Sequence, residues 1–70
     1  MISLPDCKIT ETDGHLVLSP ERADWPSILA FDRSVKAFLS FNPEYEVLIH
    51  HASSERGNGE WDMVIVKPPS

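Results

Sequence analysis

Cysteine occurs once in these 70 residues, at Cys7, so no disulfide can form within the chain. That removes one of the usual staples of a very small domain, the others being a bound metal and a partner subunit. It also fits a reducing compartment better than a disulfide-built secreted scaffold. Basic residues are scarce: 6 Lys and Arg against 11 Asp and Glu, a formal charge of -5. An acidic chain repels phosphate backbones, and Arg22, Arg33 and Lys36 make too small a basic set for a nucleic-acid footprint. We therefore expect no nucleic-acid partner. Long apolar runs are missing too. No stretch approaches the roughly 18 apolar residues of a membrane span, and Met1 to Asp6 shows no basic n-region of the kind that opens a signal peptide. We expect a cytoplasmic protein with no membrane partner.

The chain is short enough to expect one domain over residues 1–70. Such a chain buries only roughly 60% of its unfolded surface and is marginal alone. Good packing or oligomerisation must supply the rest.

One stretch reads clearly as a helix, Ser27 to Phe41. Ile28, Phe31, Val35, Phe38 and Leu39 recur on one face, with Asp32, Arg33, Lys36 and Ser40 opposite. Ahead of it, Ser19-Pro20-Glu21-Arg22 resembles a helix start, and Pro26 limits it to one turn over Pro20 to Ala23. Trp25, beside that bend, is expected to fold back as a plug, with Asp24 or Ser27 as the cap. Asn42 in a left-handed cap and Pro43 are expected to stop the helix.

The rest reads as strands. Asp13-Gly14 is a strong signal for a two-residue hairpin turn. It sets Thr12 opposite His15, Glu11 opposite Leu16, Thr10 opposite Val17 and Ile9 opposite Leu18. Cys7, Ile9, Leu16 and Leu18 then share the face on which a helix would sit. Tyr45 to His51 and Trp61 to Lys67 alternate as a second pair, and Pro68-Pro69 ends the last strand. The fold class is α+β: a ββαββ two-layer sandwich, a mainly antiparallel four-stranded sheet with one helix on one face. The expected strand order is 2-1-3-4, with the third strand beside the second as the alternative.

The last hairpin is apolar on both faces. If Val47, Ile49, Trp61, Met63 and Ile65 meet the helix, then Leu48, Val64 and Val66 look outward with nothing to cover them. Contiguous exposed apolar surface marks interfaces. The residues expected to bind a partner are therefore Leu48, His50, Val64 and Val66, with Arg56 from the Ala52 to Glu60 loop. The partner is a second copy, giving a homodimer, or another protein.

Catalytic and metal signatures are thin. His50 and His51 are strand neighbours and point to opposite faces, so they cannot share one ion. Zinc needs about four N or S donors, and neither His15 nor Cys7 supplies motif spacing. His50 with Asp62 or Glu46 is the best acid–base pairing, on a face open to solvent. The loop from Ser53 to Gly59 could wrap an anion with Arg56, yet it lacks the lysine and spacing of a P-loop. Cys7 has no local activator. The sequence thus points to a non-catalytic interaction module or modulator of a larger protein, with no cofactor. The alternative is a small-molecule-binding or enzyme-accessory domain whose pocket, around His50, Asp62 and Arg56, closes on dimerisation.

Overall fold

The computed structural model describes residues 3–52 and 59–69. The elements run β1 (Cys7–Thr12), β2 (His15–Pro20), α1 (Trp25–Phe41), β3 (Glu46–Ala52) and β4 (Trp61–Lys67). They form one four-stranded antiparallel sheet with α1 against one face, an α+β ββαββ fold.

The first hairpin forms in the register set by its turn. Asp13 and Gly14 take φ of 51° and 79°, the double positive φ of a type I′ turn. Thr12 pairs with His15 and Ile9 with Leu18. Leu16 and Leu18 are buried, and Cys7 and Ile9 pack against them.

Strand order departs from expectation. It is β1-β2-β4-β3, so β4 is central beside β2 and β3 is an edge. β2 and β3 are both antiparallel to β4 and hence parallel to one another, with β4 between them. The helix carries the chain over β4, and the last strand then folds back into the gap. This centres the two-sided apolar strand, which is where such a pattern gains most from burial.

The helix begins earlier and more simply than the prolines imply. No turn of helix forms at Pro20 to Ala23: β2 runs through Pro20, and 21–24 bend. Asp24 is the N-cap residue, without a side-chain cap bond, and Trp25 is the first helical residue, half-buried. Pro26 follows inside the first turn, where a backbone N–H would have no helical acceptor and its loss costs little. At the other end Asn42 sits at φ -132°, not left-handed. It closes the helix by donating Nδ2–H to the Phe38 carbonyl at 2.9 Å, and Tyr45 N–H then bonds the Asn42 carbonyl.

The core consists of Leu16, Leu18, Phe31, Val35, Val64 and Val66, and five of the six are wholly buried. Val64 and Val66 thus lie under the helix, not on the outer face. Met63 and Ile65 exchange sides with Val64 and Val66 relative to expectation, whereas Trp61 keeps the helix side, because Asp62 is skipped between the His51–Met63 and Ala52–Trp61 pairs. Two valines are short enough to let the helix carrying Phe31 sit close to the sheet. Met63 and Ile65, the bulkier pair, point away and are half-buried.

Candidate interaction surface

β3 forms one margin of the sheet and is exposed at every position. It joins β4 through an irregular register. Glu46 pairs with Lys67 and Val47 with Val66, then Leu48 is skipped, and Ile49 pairs with Ile65, His50 with Val64 and His51 with Met63. The extra residue reverses the alternation, as a bulge does. Val47 and His50 therefore share the helix side with Val66 and Val64. Glu46, Ile49 and His51 share the outer side with Lys67, Ile65 and Met63. A second irregularity separates His51 from Ala52, which pairs with Trp61.

The consequence is an exposed run of three large aliphatic residues, Val47 at 37%, Leu48 at 38% and Ile49 at 55% of full exposure. The run continues inward over the outer sheet face. Ile49 pairs with Ile65, Ile65 with Val17 and Val17 with Thr10, so one row crosses all four strands. The helix covers only the opposite face.

Of the residues expected to meet a partner, the structure keeps Leu48 and His50 exposed at this margin. Val64 and Val66 are removed from the set, being wholly buried in the core. Arg56 and the loop centre lie outside the described residues. Strict alternation has no place for a bulge, so it puts Ile49 on the helix side and His50 on the outer side, the reverse of what is found. Val47 is on the helix side as alternation requires but stays exposed on the edge strand.

The histidines separate as expected of strand neighbours. The His50 ring lies 4.7 Å from that of Trp61 on the helix side. Lys36 Nζ approaches the same indole at 5.0 Å from its centroid. Lys36 also pairs with Asp32 at 2.7 Å, and Asp32 accepts the Trp61 backbone N–H at 2.9 Å. Asp32 and Lys36 are thus engaged with the sheet, not turned wholly to water. His51, on the outer side, meets Asp62 through Nδ1 at 2.5 Å. The acid–base pair anticipated for His50 belongs to His51 instead. It lies on open surface. A shallow cleft of about 410 Å³ brings Lys8 and Arg22 near Glu21 and Asp62. Its charges balance and single out no ligand. Among the described residues no group of three or more His, Cys, Asp or Glu is placed to hold a metal ion, and no helix is long and apolar enough to cross a membrane.

Burial pushes the Cys7 thiol up to about 11, Glu21 adds to the rise, and a backbone hydrogen bond at Ser19 opposes it. A thiol held this way is a poor nucleophile at neutral pH. Comparison with protein-family models, curated proteins and solved structures finds no match to this chain.

Proposed function

We propose that this chain is a small non-catalytic protein–protein interaction module that acts through the β3 margin and the adjoining outer sheet face. The reading rests on one observation: an edge strand exposed at all seven positions carries Val47, Leu48 and Ile49 side by side. Edge strands of soluble proteins are ordinarily short, charged or covered, because their free backbone groups recruit other strands. An apolar, uncovered edge is therefore a feature that a partner explains. The small core gives a second reason, since a domain of this size gains stability from association.

Sedimentation velocity from micromolar to millimolar concentration tests the reading. We expect concentration-dependent association that Leu48→Ser with Ile49→Ser weakens, while the melting temperature stays nearly unchanged because both side chains are exposed. Association indifferent to these substitutions, or a monomer throughout, counts against the surface. The accessory-pocket reading has less support: His50 stacks on Trp61 while Asp62 is engaged by His51, so the two do not converge.

A further inference from the structure

Resting on that reading, we propose that the partner at the β3 margin is a second copy of the same strand, paired antiparallel about a two-fold axis between Leu48 and Ile49, with Glu46 of each copy facing His51 of the other.

The bulge carries the argument. A regularly alternating strand laid along β3 would match its faces on one side of Leu48 and fall out of phase on the other. A reversed copy of β3 does not. Outward from the centre, Val47 and His50 lie on the helix side, and Glu46 and His51 lie on the outer side. Antiparallel pairing about the 48/49 midpoint sets Val47 against His50 and Glu46 against His51. Each pair then shares a face, as directly opposed residues in a sheet must. The sequence of facings along β3 is its own mirror image, and the bulge makes it so. Leu48 and Ile49 meet their counterparts at the axis, where the most exposed aliphatic surface lies.

Charge supports the same register. β3 has its acid at one end, Glu46, and its histidines at the other. Reversal brings unlike ends together, twice per dimer. His51 is prepared for this: Asp62 engages Nδ1, which leaves Nε2 for a second carboxylate. An imidazole bonded on both sides to carboxylates must be the imidazolium. The charged groups described around the pair are Asp62 at His51 and Lys67 opposite Glu46.

Complementation by charge reversal tests the register. Glu46→Lys alone sets lysine against histidine at both contacts. His51→Glu alone sets glutamate against glutamate. A mixture of the two variants restores opposite charges at both contacts in the heterodimer. We expect each variant to dissociate at least tenfold more readily than the wild type near pH 6, and the equimolar mixture to recover the loss. Circular dichroism of each variant checks that the fold is retained, and both substitutions lie on exposed edge positions. If the wild type associates and Leu48→Ser with Ile49→Ser abolishes this, but the mixture does no better than its components, the register is overturned and the interaction surface stands. If the wild type is monomeric at millimolar concentration near pH 6, both fall.

Discussion

Asp32, on the second turn of the helix, accepts the backbone N–H of Trp61 at 2.9 Å across 29 residues of sequence. The same carboxylate oxygen holds Lys36 at 2.7 Å, and Lys36 in turn covers the Trp61 ring. One side chain thereby fixes where β4 begins, and so which residues of β4 fall beneath the helix.

Asp32→Ala removes an acceptor from a partly buried backbone donor and leaves Lys36 without its partner. A donor stranded in this way costs roughly 1–3 kcal/mol. Asp32→Asn keeps an acceptor oxygen and should lose less. Lys36→Met removes a half-exposed ion pair, worth up to about 1 kcal/mol, and keeps apolar cover over Trp61. Urea midpoints should therefore fall in the order wild type, Lys36→Met, Asp32→Asn, Asp32→Ala. A Lys36→Met variant as damaged as Asp32→Ala would show that the charge pair, not the backbone bond, anchors the strand.

The reversal of β4 gives a second test. Val64 is wholly buried and Ile65 is half-buried on the outer face. Val64→Thr preserves shape and strand preference but places a hydroxyl among Phe31 and Val35, at roughly 1–3 kcal/mol if it finds no partner. Ile65→Thr meets solvent and should cost less than about 1 kcal/mol, in the range of surface substitutions. Thermal denaturation of the two variants reports the difference directly. The opposite ranking would place Ile65 beneath the helix.

These features divide what the sequence discloses from what it hides. The Asp13-Gly14 turn gave its hairpin register residue for residue, because a two-residue loop leaves no freedom. The helix and β4 were legible from periodicity. The faces of β4 were not, since Met63 and Ile65 compete with Val64 and Val66 in apolar character, alternation separates the sets without saying which faces the helix, and the irregularity at Asp62 puts Trp61 on the side opposite Met63. Strand order was hidden for a related reason. Nothing local to β4 records that it inserts beside β2. At the interaction surface the exposure of Leu48 and His50 was readable, whereas the sides taken by Ile49 and His50 depended on a bulge with no glycine to announce it.

Cys7 supplies a prediction about pH. Its thiol is held up at about 11 from an ordinary 9.0, chiefly by burial. The folded state therefore keeps its proton to higher pH than the unfolded chain does. Stability from this group is fully present below about pH 9 and is lost as pH rises through 11, because the unfolded state ionises first. Cys7→Ala removes that dependence. Unfolding midpoints measured from pH 8 upward should fall more steeply for the wild type than for Cys7→Ala, the two curves converging toward neutral pH. Alkylation by iodoacetamide at pH 8 should likewise be slow in the folded protein and speed up in urea, since thiolate rather than thiol is the reacting form. Rapid alkylation of the folded chain would show that Cys7 is neither shielded nor raised, and its place against the core would have to be revised.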